Sequence, residues 1–365
     1  MSKPLVLTCD IGTQSARALL VDPDGRIVDV VQSKYAEPYF SKEPGWAEQK
    51  PDFYFDRMCE CCRELCARSN ALLPDVIAMT ITVIRDTVVC LDENNNPLRD
   101  IILWLDKRSV DPNGAMPAKN MMVFKLAGME PTAKVVYAAS AGNWIMRHEP
   151  EIWARTAKYV MLPTYLNYKL TGNLIDSASN QIGHIPFDYK NRRWMKPGSL
   201  TRCFCDVPNE KLCDLVPSGT VIGTVTEEVS ALTGIPAGLP LISTGSDKGC
   251  ETLGLAVVDS DKASISLGTT ATIQFSTTQY VEPQQFLPAY PGVLNDHYNP
   301  EIEIYRGLWL LSWFVKEFGT ADAIDAKEMG MAPEALLDQR IRDLPAGSDG
   351  LLLQPYWTAG ILHPD

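Results

Sequence analysis

The chain is 365 residues long, with 45% hydrophobic and 21% charged residues and a formal net charge of −12. Those proportions are those of a globular protein large enough for two domains with substantial cores, and the negative charge speaks against broad nucleic-acid binding. There is no signal-peptide pattern and no apolar run of membrane-spanning length, so the expectation is a cytoplasmic protein with neither a membrane nor a nucleic-acid partner.

In chain order, residues 4–9, 16–21 and 26–33 read as three strands joined by tight turns, with Asp24-Gly25 as the second turn signal. Residues 52–68 read as an amphipathic helix. Within it, Cys59, Cys62 and Cys66 fall at helical spacing, with Phe55 and Met58 on roughly the same face. A buried helical stripe accounts for this better than a metal site. The histidines at 148, 184, 297 and 363 lack ligand spacing, so no structural zinc is expected, and reduced thiols among the ten cysteines suit the cytosol. Residues 75–82 and 86–92 read as strands, the second ending in the solvated turn "DENNNP". The segments "EPEIWART" and "YVMLPTYLNYKLTG" read as two helices with a turn between them. "STGSDKGCETLGLAVV" reads as a strand end, a turn and a helix beginning near Lys248. "KASISLGTTATIQFST" is strand, glycine-hydroxyl turn, strand, an echo of the opening hairpin. The alternation of strands and helices implies an α/β fold, with a domain boundary near residue 260.

The tip of the first hairpin, "DIGTQS", has two readings. One is an ordinary turn, since Asp, Gly and Ser each favour turns. The other is a phosphate loop: Gly12 lets the backbone approach a ligand closely, Thr13 and neighbouring N–H groups donate to phosphate oxygens, and Asp10 holds Mg²⁺ through water. No Walker-type GxxxxGK[ST] occurs in the chain. With Gly268, Thr269 and Thr270 at the second turn, two related halves would clamp a nucleotide between two hairpins.

In this order, "DIGTQSAR", "PGWAEQKP", "ITVIRDTVVCLDENNNPL" with "IILWLDKRS", "STGSDKGCETLG", "SISLGTT" and "EIYRGLWLLSWFVKEF" with "DGLLLQPYWTAGILHPD" resemble segments of the FGGY family of carbohydrate kinases, the branch that includes glycerol kinase and xylulokinase. The resemblance runs the length of the chain. It implies the actin-like ATPase (ribonuclease H-like) two-domain kinase fold. Residues 1–260 would form the first domain and residues 261–365 part of a second domain, left incomplete because family members continue past the position of Asp365.

It further implies ATP and Mg²⁺ as cofactors and a small sugar or polyol as substrate, and it leaves a homodimer open. Asp247 would be the general base, whose main task in a loose phosphoryl-transfer transition state is to orient the attacking hydroxyl; the alternative is that it merely caps a helix. Asp10 would organise the metal. Gly12, Thr13 and Arg17 would contact the phosphates from one side and Gly268 with Thr269 from the other; the alternatives are a surface ion pair for Arg17 and a plain turn for Gly268. Arg85 and Asp86 stand where glycerol-kinase-like members place an Arg-acid pair for substrate hydroxyls. Trp104 is either a flat wall to the substrate or a core residue. Lys248 replaces the amide common after the base, and either reaches an anionic or highly hydroxylated substrate or points to solvent. The Met-His pair usual in xylulokinases is absent. The rival functions are a sugar-binding fragment without turnover and an actin-like or chaperone-like ATPase on the same fold.

Overall fold

The computed structural model describes residues 3–268, 270–284, 287–304 and 307–353. Three strands open the chain, β1 Leu5–Ile11, β2 Ser15–Val21 and β3 Ile27–Lys34, followed by helix α1 Phe53–Arg68. The three strands pair antiparallel, while Val76–Val83 lies parallel to β1 and Pro240–Ile242 parallel to Val76–Val83. With Val221–Thr224 at the far edge, they form a six-stranded sheet.

Alternation along β1 puts Leu5, Leu7, Cys9 and Ile11 into the core and leaves Val6, Thr8 and Asp10 on the half-exposed face. Helix α1 closes over the buried face, where Cys9 Sγ lies 3.5 Å from Cys62 Sγ. The expected stripe is seen: Phe55, Met58, Cys59, Cys62 and Cys66 are buried, as is Cys61. Burial pushes the thiols of Cys59 and Cys66 up to about 12, so they are packing groups and not nucleophiles.

Two differences from the sequence reading stand out. Asp10 does not sit in the turn; β1 runs on to Ile11, and Asp10 is paired in register with Arg17 of β2. The segment "YVMLPTYLNYKLTG" is not all helix. Lys158–Met161 is a strand paired with Val88–Leu91, and the helix is Leu162–Thr171, ending at Gly172 in the left-handed conformation. The apolar run Tyr159–Leu162 carries no period of its own, so it reads equally well as strand or helix, and Pro163 at the first turn marks where the helix begins.

The echo hairpin is present as Ala263–Leu267 paired with Ala271–Phe275, and a third strand, Glu301–Ile304, joins its edge. Its side chains alternate in an inverted sense: Glu301 is buried while Ile302 is 56% exposed. Among the described residues no helix is long and apolar enough to cross a membrane.

Candidate active site

The chemistry-bearing residues collect where the parallel strands of the large sheet end. Asp10 is next to last in β1, Arg85 and Asp86 follow Val76–Val83, and Asp247 follows Pro240–Ile242. This is the edge at which open α/β sheets hold ligands, because the connections leaving each parallel strand part there.

Asp247 is the first residue of the helix Asp247–Gly254, and its cap is Ser246, whose hydroxyl accepts the Gly249 N–H at 3.3 Å. The Asp247 carboxylate is therefore spared for other work. Its Oδ1 accepts the Lys248 N–H at 2.8 Å and lies 3.6 Å from Arg85 Nε, with a quarter of the side chain exposed. Burial lifts its pKa above the usual aspartate value, against the opposing pull of Arg85 and Lys248.

Arg85 is the hub. Its Nη1 and Nη2 donate to Oε2 and Oε1 of Glu301 at 3.1 and 3.0 Å, a bidentate pair. The guanidinium carbon lies 5.5 Å from the centroid of the Tyr290 ring. Gln274 donates to Glu301 and accepts the Thr252 hydroxyl at 2.6 Å. Thr252 belongs to the Asp247 helix, so the circuit from Arg85 through Glu301 and Gln274 returns to the element that carries Asp247.

Asp86 adopts φ +46°, a left-handed conformation uncommon outside glycine and of the kind that clusters at functional sites. Its Oδ1 accepts the His184 N–H at 2.8 Å and its Oδ2 lies 2.7 Å from His184 Nδ1. Gly183 has φ +140°, and a Cβ there would fall 2.2 Å from Asp86 Oδ1, so only glycine admits this pairing. Burial opposes ionisation of Asp86, but His184 and Arg85 outweigh it and hold the carboxyl below its usual value. Burial also opposes the imidazolium, and Asp86 more than offsets it, raising the His184 pKa.

At the first hairpin, Arg17 Nη1 donates to Asp10 Oδ2 at 2.6 Å, Gly12 N–H donates to Ser15 at 3.0 Å, and the Trp104 indole N–H donates to Thr13 Oγ1 at 2.9 Å. Trp104 thus packs partly on the large core and ties it to the hairpin tip. Lys248 turns inward, with Nζ 2.7 Å from Ser266 Oγ and 3.0 Å from Glu251 Oε2. At the second hairpin, Gly268 N–H donates to the Thr270 carbonyl at 2.9 Å; Thr269 lies outside the described residues. A Cβ at Gly307 would fall 2.5 Å from the Thr270 carbonyl, so the backbone there lies flush against this turn.

The structure brings Arg85, Asp86, Asp247 and Lys248 into one cluster, and Asp10, Thr13, Arg17 and Trp104 into another. Sequence reasoning missed His184, Gln274, Tyr290, Glu301 and Gly307. Glu301 left one trace, the inverted alternation of "EIEI"; the others left none. A separate cavity of about 660 Å³ opens between Pro112 and Met121, beside Glu130 and Lys134, and shares no residue with either cluster.

The model of the FGGY family of carbohydrate kinases, N-terminal domain, matches residues 5–254. Over the whole chain, the uncharacterized sugar kinase YgcE of Escherichia coli K12 is 25% identical, and this chain spans 66% of its length. Xylulose kinase of Bacillus subtilis is 24% identical over 96% of this chain and 67% of its own. The solved structure of ligand-bound xylulose kinase from Lactobacillus acidophilus covers 97% of this chain, and 68% of its own, with TM-score 0.77 at 22% identity. Plasmodium falciparum glycerol kinase with ADP covers 88% of this chain, and 66% of its own, at TM-score 0.68 and 18% identity. The chain thus spans about two thirds of the length of its relatives. The fold is the actin-like ATPase fold of those structures. With a family match over residues 5–254 and the cluster at the ends of the parallel strands, this chain belongs to the FGGY family of carbohydrate kinases.

Proposed function

We propose that this chain binds a small sugar or polyol between two units, residues 1–260 and 261–365, and that a phosphoryl group passes from ATP to one of the sugar's hydroxyls. The observation that carries the reading is Asp247, a recessed carboxylate at a helix start, capped by another residue and 3.6 Å from Arg85. Relatives named xylulose kinase and gluconokinase support a sugar as the acceptor.

The residues fit Mg²⁺ and ATP. Asp10 offers a half-exposed carboxylate beside Arg17, suited to hold Mg²⁺ through water, and Gly12, Thr13 and Gly268 offer narrow backbone approaches for phosphates. Bound there, MgATP supplies the transferable phosphoryl group. Asp247 accepts the proton of the attacking hydroxyl and aims it. Arg85 keeps Asp247 in place and faces the sugar together with Asp86, while Trp104 braces the tip that carries Thr13.

The test is ADP release from MgATP across a panel of ketoses, pentitols and sugar acids. Sugar-dependent release is expected, and Asp247→Asn should lower it by roughly 10²–10⁴-fold with an unchanged circular dichroism spectrum. Because the base must be ionised and its pKa is raised, activity should fall with decreasing pH sooner than an ordinary aspartate would dictate. Release at the same rate without sugar would make the chain an ATPase instead.

A further inference from the structure

The Arg85 cluster has a charge count that bears on which sugars it admits. Among the described residues, two cations and one histidine meet there, and each already has an acid. Arg85 gives both terminal nitrogens to Glu301 and turns Nε toward Asp247. Lys248 is paired with Glu251. His184 is paired with Asp86. Glu303, half-buried two residues from Glu301, adds a further acid, and its pKa is raised by burial first and by Glu301 second, against the pull of Arg85. Arg85, Lys248 and His184 therefore face five acids: Asp86, Asp247, Glu251, Glu301 and Glu303.

A carboxylate entering this cluster would find no unpaired cation. It would have to displace Glu301 from a bidentate, buried pair, leaving that carboxylate desolvated and without a counter-charge, or lie against Asp247 and Glu303 at a like-charge cost. A hydroxyl meets no such penalty. It donates to Asp86, Asp247 or Glu303 and accepts from Lys248 or His184 without any ion pair being broken.

We infer that the site selects uncharged, hydroxyl-rich sugars over sugar acids, and that Glu301 is the residue that sets this selectivity by neutralising Arg85. The inference rests on the cluster being the sugar site, as proposed above. It deepens that reading by excluding one of its substrate classes and assigning a role to a residue outside residues 5–254, the span of the family match.

The experiment is titration calorimetry on the full chain with matched pairs that differ only in one terminal carbon: xylitol against xylonate, and glucitol against gluconate. Wild type should bind the neutral member of at least one pair at least tenfold more tightly than its acid. In Glu301→Gln the amide keeps the shape but frees the Arg85 charge, and the neutral-to-acid ratio of that pair should fall by at least tenfold. An acid that binds wild type as tightly as its neutral partner overturns the inference and leaves the sugar site standing. A folded Glu301→Gln with an unchanged ratio overturns the role of Glu301. If none of the four compounds binds wild type or variant, the sugar-site reading falls and this one with it. The wild-type comparison needs no variant, so the selectivity is decided even if Glu301→Gln does not fold.

Discussion

Arg85 and Glu301 have to be judged together. The pair is nearly withdrawn from solvent, so removing Arg85 leaves the Glu301 carboxylate without water or counter-charge, a loss worth about 3–5 kcal/mol in buried pairs. Arg85→Ala should therefore lower stability by about 3 kcal/mol or more as well as weakening sugar binding. The double variant Arg85→Met/Glu301→Leu, which fills similar volume without charge, should recover most of the stability and none of the binding. Urea unfolding with a binding titration on both variants separates the two effects. A double variant no more stable than Arg85→Ala would show that the loss comes from packing and not from the stranded carboxylate.

At the scale of elements, Asp176 is fully buried on the strand Ile175–Ser177, which pairs parallel with Asp214–Val216 in a small sheet of its own. It accepts from Thr164 and Asn167 of the preceding helix Leu162–Thr171, from Asn180 and Gln181, and from the Ser177 N–H. Ser177 in turn donates to Thr244, three residues before Asp247. The node thus fixes the turn that presents Asp247. Burial pushes Asp176 up to about 6, with the surrounding donors restraining the rise. Since about 6 lies above the roughly 3.9 of an unfolded aspartate, the folded state keeps a proton that the unfolded state has released. The contribution of this group to stability is then complete below about pH 4 and declines as pH rises through 6, by about 3 kcal/mol in all. The stability of wild type relative to Asp176→Asn should decline by that amount between about pH 4 and pH 7.5, measured by urea unfolding. A difference that does not change with pH would show that Asp176 stays ionised throughout.

The elements also show what the sequence made legible. The first hairpin, the cysteine-lined helix and the echo hairpin were readable because each is local: alternation, helical spacing and turn residues act over a few positions. The strand Lys158–Met161 was not, because Tyr159, Val160 and Met161, running straight into a helix, have no period. Asp10, Arg85, Asp86 and Asp247 were singled out through motifs, each a short segment. His184, Gln274 and Glu301 were not, because their meaning lies in partners 98, 27 and 216 residues away, and an isolated His, Gln or Glu carries no mark of such a partner.

At the scale of the whole molecule, the three-stranded sheet around the second hairpin has an apolar outer face. Ile265, Ile273 and Ile302 are in register across its three strands and are 62, 43 and 56% exposed. Leu267 lies beside them, also exposed. A continuous apolar row of this kind favours association, so this chain should self-associate with rising concentration. Ile273→Lys, at the centre of the row, should reduce that association and leave the circular dichroism spectrum unchanged, as read by light scattering. Unaltered scattering in the variant would place the contact elsewhere.

The distance in sequence between Arg85 and Glu301 has a consequence for the order of events during synthesis. The two are 216 residues apart. At ribosomal speeds of about 5–20 residues per second, Arg85 exists for roughly 10–40 s before its partner is made. Through that interval the strand Val76–Val83 and its neighbours in β1 to β3 can already pair, because all their residues are present. The guanidinium, however, has no acid to receive it until Asp247 and then Glu301 emerge. The nascent chain can thus pair its opening strands beside a cation still in water, and that cation is drawn inward only once Glu301 has been made, 216 residues later.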